Sequence, residues 1–254
     1  MTLTPDLFLI VCPLAFLAGF IDSIAGGGGV ISLPAYYLAG LPPALASGTN
    51  KLSAMMAAAT ATFNYAKAGK IVLKIGIPAA AGALLCSTLG ALTLTALPQN
   101  LVRILVLCCL PIAAIFTLRR PRRREARQWS GKAAFWIAFL IGSAIGFYDG
   151  LIGPGTGTFL ILLFLQVFQI DAVEAGGTAK LTNLASNVAA LVSLIATGNV
   201  LFLLGIPAGV CGMLGAYMGS KLTIRKGAKF IRLMMLAVMA LLLGKILYDI
   251  LFPA

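Results

Sequence analysis

Two lysines and two aspartates interrupt otherwise apolar sequence and are the residues best suited to chemistry. Lys51 and Lys180 each stand in a Gly-Thr-x-Lys-Leu segment, and Asp22 and Asp149 each end a Gly-Phe-x-Asp segment. An ammonium in a lipid-like environment costs about 2.5–3.5 kcal/mol unless it faces a partner or a polar cavity. The pattern therefore predicts either cationic anchors for an anion or two lysines that neutralise acids.

The anion interpretation draws on the groups around each lysine. Hydroxyls and the backbone N–H groups of helix N-termini can donate hydrogen bonds to oxyanion oxygens. The predicted substrate-binding set is Lys51, Lys180, Thr49, Thr178, Asn50, Gly27, Gly28, Gly29, Gly155 and Thr156. Further polar lining or helix bridging could come from Asn50, Asn64, Asn183, Asn187 and Ser47.

Asp22 and Asp149 have two open interpretations. A carboxylate in a low-dielectric pocket favours its protonated form, so either acid could carry a proton. Each could equally cap the glycine-rich segment that follows it, or neutralise a lysine.

Glycine-rich breaks follow both aspartates, at residues 26–29 and 153–157. Unwound backbone in a bilayer must be buried in protein or line a polar cavity, and paired breaks at matching positions are typical of transporter binding sites. The alternative is that the glycines only permit close helix packing. No Lys-Ser/Thr follows either break, which disfavours a nucleotide-binding loop.

These motifs recur because the chain contains an internal repeat at a spacing of 127 to 129 residues. The matching segments are 19–22 with 146–149, 46–52 with 175–181, 76–78 with 205–207, and Gly90 with Gly219. We therefore predict a tandem duplication with a first transmembrane repeat at 1–118, a basic linker at 119–132 and a second repeat at 133–254.

The elements that position these residues are apolar segments. The 254 residues are 60% hydrophobic and 10% charged, with a mean hydropathy of +1.02, which predicts an all-α polytopic membrane protein. Each half contains five segments, of which the second is short. They span about 7–25, 30–41, 44–68, 71–97 and 101–118, then 133–148, 157–170, 173–196, 200–222 and 230–252.

An odd number of segments makes the halves face opposite ways, and the loop charges agree. Residues 67–74 are basic while the matching 197–199 are neutral, and 221–232 carry five basic residues against one in 96–103. Basic loops mark the cytoplasmic side, so we predict inverted-topology repeats with a cytoplasmic linker and both termini outside. An eight-span arrangement of parallel repeats is the competing topology.

Composition also excludes several classes of protein. The net charge of +12 lies mainly in short loops beside apolar segments, which favours membrane topology over nucleic-acid binding. The chain has no histidine, so we expect no metal site, no cofactor and no histidine-based catalysis.

The Gly-Phe-x-Asp segment, the break after it and the Gly-Thr-x-Lys-Leu segment, all repeated in the second half, resemble the TauE/SafE sulfite exporter family over nearly the whole chain. The resemblance implies a multi-pass transporter of the bacterial inner membrane for sulfite, sulfonates or other small sulfur-containing or carboxylate anions. The halves differ where Asn50 faces Ala179 and where Pro154 and Thr156 replace glycines, so unequal contributions are expected.

The expected function is secondary transport by alternating access, with the anion held near the bilayer midplane between the repeats. Coupling to a proton or another ion is left open. The alternatives are an anion channel, or a membrane-embedded enzyme using Asp22, Asp149, Lys51 and Lys180. The expected partners are a small inorganic or organic anion and the lipid bilayer, without nucleic acid, and a homodimer is left open.

Overall fold

The computed structural model describes residues 5–98, 101, 131–227, 229–231 and 233–234, and those residues form a bundle of helices. The helices are α1 (Pro5–Ala25), α2 (Gly29–Leu38), α3 (Pro43–Lys67), α4 (Leu73–Ala96), α5 (Gly131–Leu151), α6 (Thr156–Leu163) with a π-helical continuation at Phe164–Phe168, α7 (Ala172–Ala196) and α8 (Phe202–Lys226). The predicted segments agree with these bounds to within four residues. The predicted segments 101–118 and 230–252 fall almost entirely outside the described residues.

The outward faces of the bundle are those of a multi-pass membrane protein. Helices α1, α4, α5, α7 and α8 are long and apolar enough to cross a membrane, while α3 is of similar length and more polar. Large apolar side chains are exposed on them, including Leu89, Leu140 and Leu203. Lipid would cover these side chains, so the predicted all-α polytopic membrane fold is confirmed.

Helices α3 and α7 have clear boundaries in the sequence. Helix α3 begins at Pro43, a residue pre-set for a first helical turn, while Asp171 caps α7 by accepting the Val173 N–H at 2.8 Å. Both helices end just before a glycine of positive φ, Gly69 at +66° and Gly198 at +72°. Glycine adopts that conformation readily, so the chain turns at once into α4 and α8.

The fourth helix of each half packs in the other half. Helix α4 lies against α5 and α7, and α8 lies against α1 and α3. Glycines allow the backbones to meet: a Cβ added at Gly142 would lie 1.9 Å from the Ala79 carbonyl oxygen, and one at Gly215 would lie 2.0 Å from that of Phe16. The two sequence halves are therefore interleaved.

Helices α3 and α7, which carry the two lysines, run antiparallel. Near the start of α3, a Cβ at Gly48 would lie 1.9 Å from the carbonyl oxygen of Asn199, which follows the end of α7. Near the start of α7, a Cβ at Gly177 would lie 2.0 Å from the carbonyl oxygen of Lys70, which follows the end of α3. These two matching helices of the two halves thus point in opposite directions.

Candidate functional site

The two glycine-rich breaks are in direct backbone contact. Gly26 and Gly153 have φ values of +80° and +90°, which only glycine adopts without strain. A Cβ added to Gly26 would lie 2.1 Å from the carbonyl carbon of Gly157. Thr158 strengthens the contact by donating its hydroxyl to the Ala25 carbonyl at 2.7 Å. The breaks that the sequence predicts separately therefore form one structural unit.

Each lysine forms an ion pair with the aspartate of the opposite half. Lys51 Nζ lies 2.7 Å from Asp149 Oδ2, and Lys180 Nζ lies 2.6 Å from Asp22 Oδ2. Three of these side chains are at most 4% exposed, whereas Asp22 is 20% exposed. In this conformation both lysines therefore neutralise acids, which is one of the two interpretations of the sequence.

Hydroxyl groups hold Asp149 in addition to its lysine. Ser186 donates to Asp149 Oδ2 at 2.6 Å, and the Thr156 hydroxyl lies 2.8 Å from Oδ1. The Thr156 hydroxyl also contacts the Gly153 carbonyl at 2.6 Å, so it ties the acid to the second break. Together with Lys51, these groups surround the Asp149 carboxylate with donors.

Asp22 is held by fewer groups. Besides Lys180, its Oδ1 accepts the backbone N–H of Gly28 at 3.2 Å, at the start of α2. The acid therefore binds the glycine-rich segment that follows it, in line with one of the two interpretations, and it also lines a cavity.

That cavity has about 50 Å³ of space that the centre of a water molecule can reach. One water needs about 10–15 Å³ on this measure, so the cavity suits a few waters or a small anion. Its polar lining comes from Asp22, Ser32, Asn50, Lys51, Ser53, Asp149, Thr156, Asn183 and Asn187. Its remaining lining consists of alanines of α1 and α3 and of glycines: Ala15, Ala18, Gly19, Gly26, Gly28, Gly29, Ala54, Ala57, Gly153, Gly157 and Gly212.

The predicted substrate-binding residues divide into two groups. Those lining the cavity are Asn50, Lys51, Gly28, Gly29 and Thr156, together with both acids. Those that do not line it are Lys180, Thr49, Thr178, Gly27 and Gly155. Lys180 nevertheless contacts a lining residue, because its ammonium is bonded to Asp22.

Thr49 and Thr178 accept hydrogen bonds from the backbone just before α8 and α4. Thr178 Oγ1 accepts the backbone N–H of Val72, just before α4, at 3.0 Å, and Thr49 Oγ1 accepts that of Leu201, just before α8, also at 3.0 Å. N–H groups at a helix start lack partners within the helix, so these hydroxyls satisfy them. Both threonines are fully buried. Their contacts are structural in this conformation.

Several polar residues near the site are harder to recognise from the sequence than the lysines and aspartates. Asn183 and Asn187 follow Lys180 by three and seven residues, which places them on one helix face, and both line the cavity. Ser186 was missed, since a serine in a helix is usually unremarkable. Asn64 bonds Ser220 at 2.8 Å and bridges helices instead. Asn50 Oδ1 is buried without a hydrogen-bond partner among the described residues.

The site combines two ammonium groups and two carboxylates with amides and hydroxyls that can donate to an oxyanion. Among the residues that the structure describes, no group of three or more histidines, cysteines or acids is placed to hold a metal ion.

Paired breaks that meet at a polar cavity in a polytopic helical protein are typical of transporters. The family model described as sulfite exporter TauE/SafE matches residues 11–246, and the chain belongs to this family. The resemblance drawn from the motifs is thereby confirmed, and the protein is a membrane transporter of that family.

Curated relatives agree with this assignment. The chain is 37% identical to the probable membrane transporter protein ORF9 of Sinorhizobium sp., over 95% of this chain and 92% of the relative. It is 36% identical to the probable membrane transporter protein YfcA of Escherichia coli K12, over 97% and 91%. It is 30% identical to a probable membrane transporter protein of Haemophilus influenzae, over 96% of each chain. No solved structure matches the chain significantly.

Proposed function

We propose that this protein is a secondary transporter that carries a small anion across the bacterial cytoplasmic membrane by alternating access. The substrate class is sulfite, a sulfonate or a related organosulfur or carboxylate anion. The observation that carries the proposal is the cavity where the two glycine-rich breaks meet, flanked by ion pairs that join the two halves. The name of the family supports a sulfur oxyanion as substrate.

The lining suits a compact oxyanion. The Lys51 ammonium supplies charge, and the amides of Asn183 and Asn187 supply donors. Small residues such as Ala54 and Ala57 on α3 keep the space open. Because backbone also lines the cavity at both breaks, N–H groups can reach an anion without a long side chain between them.

The helix arrangement supports alternating access. Since α3 and α7 run antiparallel, the same rearrangement in either half opens the cavity toward opposite sides of the membrane. Breaking one ion pair frees one lysine and one acid of different halves, so the pairs are suited to act as gates.

The antiparallel helices also favour the predicted topology: inverted repeats at 1–118 and 133–254, the basic linker 119–132 in the cytoplasm and both termini outside. The exposed Lys67 at the end of α3 belongs to the basic loop that this topology places in the cytoplasm.

The charge of the site supports coupling to a cation. Two lysines and two aspartates sum to zero, so a bound anion alone would leave a net negative charge in a low-dielectric setting. We propose that a proton travels with the anion.

The test uses purified full-length protein in liposomes, with sulfite, thiosulfate, methanesulfonate and small carboxylates as labelled probes. Saturable uptake, with counterflow when the same anion is loaded inside, is the expected result for at least one probe. Flux that neither saturates nor shows counterflow would indicate a channel, and the absence of uptake for every probe would contradict the proposal.

Lys67→Met supplies a matched control for this assay. It removes a lysine from the same helix as Lys51, at an exposed position far along α3. Transport should be unchanged in this variant.

A further inference from the structure

The two ion pairs are equivalent by the repeat, yet their acids are held differently. Asp149 contacts Lys51 and the hydroxyls of Thr156 and Ser186, and it is 3% exposed. Asp22 contacts Lys180 and one backbone N–H, and it is 20% exposed. Asp22 is therefore the acid with fewer donors and with the more exposed side chain.

The sequence shows why the halves differ. By the spacing of the repeat, the position of Thr156 is occupied by Gly29 in the first half, and that of Ser186 by Ala57. Both hydroxyls that hold Asp149 are thus missing around Asp22. The Asp149 carboxylate therefore has two hydroxyl neighbours that the Asp22 carboxylate lacks.

The charged and titratable surroundings of Asp22 come from α3, α5 and α7. Lys180 is bonded to it, and Lys51 and Asp149 line the same cavity as a closed pair. Tyr65 of α3 donates its phenol to the carbonyl of Ser23, the next residue along α1, at 2.9 Å. The cavity lining from α2, α6 and α8 contains no ionisable side chain.

Building on the proposed function, we propose that Asp22 takes up the proton that travels with the anion, while Asp149 stays ionised. A proton from water on one side binds the Asp22 carboxylate and makes it a neutral acid. The charge of Lys180 is then uncompensated. Anion and proton bind together, leave on the other side, and Asp22 reforms its pair with Lys180.

The test measures proton uptake on anion binding by the full-length protein in detergent. Methanesulfonate and thiosulfate are the probes, because their charge is constant across the neutral pH range. Binding heats in two buffers of different ionisation enthalpy give the protons taken up per anion. The wild type should take up one, and its apparent Kd should rise about tenfold per pH unit once Asp22 is ionised.

One variant tests the acid directly. Asp22→Asn should bind the anion with no proton uptake and with a Kd independent of pH. Uptake that persists in Asp22→Asn would overturn the assignment.

A second variant does not depend on removing a buried charge. Ala57→Ser places the hydroxyl of the second half beside Asp22, so the pH midpoint of proton uptake should fall. Ser186→Ala is the matched control and should leave that midpoint unchanged. A midpoint that moves in Ser186→Ala and not in Ala57→Ser would assign the proton to Asp149.

The outcomes also separate this inference from the proposed function. Anion binding by the wild type without proton uptake would overturn the role of Asp22 and leave anion transport standing. Failure to bind either probe would count against a sulfur oxyanion as the substrate and against the role of Asp22 together.

Discussion

Lys51 Nζ lies 2.7 Å from Asp149 Oδ2, so a lysine of the first half neutralises an acid of the second half within the membrane. Lys180 and Asp22 repeat the contact with the halves exchanged. Because each ion pair joins the two halves, the charged residues of the site also hold the halves together.

The pairing predicts which second substitution restores the stability that a single variant loses. Lys51→Met leaves the Asp149 charge buried and unpaired, which should destabilise the protein by about 3–5 kcal/mol. Adding Asp149→Asn should recover most of that loss, whereas adding Asp22→Asn should not, since it breaks the second pair. Apparent Tm values in detergent provide the measurement, and equal repair by both acids would contradict the pairing.

Thr178 is expected to act on stability and not on the affinity for an anion. Thr178→Val removes the acceptor of the Val72 N–H, which should cost about 1–3 kcal/mol, and Thr178→Ser should restore it. The Kd for the transported anion should stay unchanged in both variants. A weaker Kd with unchanged Tm would return Thr178 to the substrate site that the sequence predicted.

Gly26 is expected to be indispensable because the two breaks meet there. Gly26→Ala would place a methyl group 2.1 Å from the Gly157 carbonyl carbon, so the breaks must separate and transport should be lost. Gly69→Ala is the matched control, since Gly69 also has positive φ, at +66°, but has nothing within 4 Å of an added Cβ. Equal transport activity in the two variants would show that the contact is unimportant.

The inverted arrangement predicts labelling from opposite sides. In a background with all five native cysteines replaced, Lys67→Cys should react with an impermeant thiol reagent only from the cytoplasm, and Thr197→Cys only from outside. Both positions are exposed at helix ends, so accessibility alone does not separate them. Labelling of both from one side would contradict inverted repeats.

Much of the fold could be predicted because it depends on local sequence. The lengths of the apolar segments predicted the helices, and the glycine runs predicted the breaks. The internal repeat identified Lys51, Lys180, Asp22 and Asp149 as a set. These signals are read along the chain without knowledge of its packing.

The partners of these residues could not be predicted, because they depend on how the halves interleave. Because α4 and α8 each pack against helices of the other half, Thr178 lies against Val72 and Thr49 lies against Leu201. No spacing in the sequence shows these contacts. Ser186 was missed for the same reason, since its hydroxyl gains a role only when α7 lies beside Asp149.

The most direct test of the account compares anion affinity in the wild type and in the charge-neutral variant Lys180→Met with Asp22→Asn. This variant removes one ion pair without leaving a buried charge, so it should fold and keep a Tm near that of the wild type. The account predicts that the Kd for the transported anion rises about 10- to 150-fold, as expected when a hydrogen bond to a charged group is lost. An unchanged Kd in the folded variant would show that the pair only holds the halves together, and would contradict a role of the Asp22–Lys180 pair in anion binding.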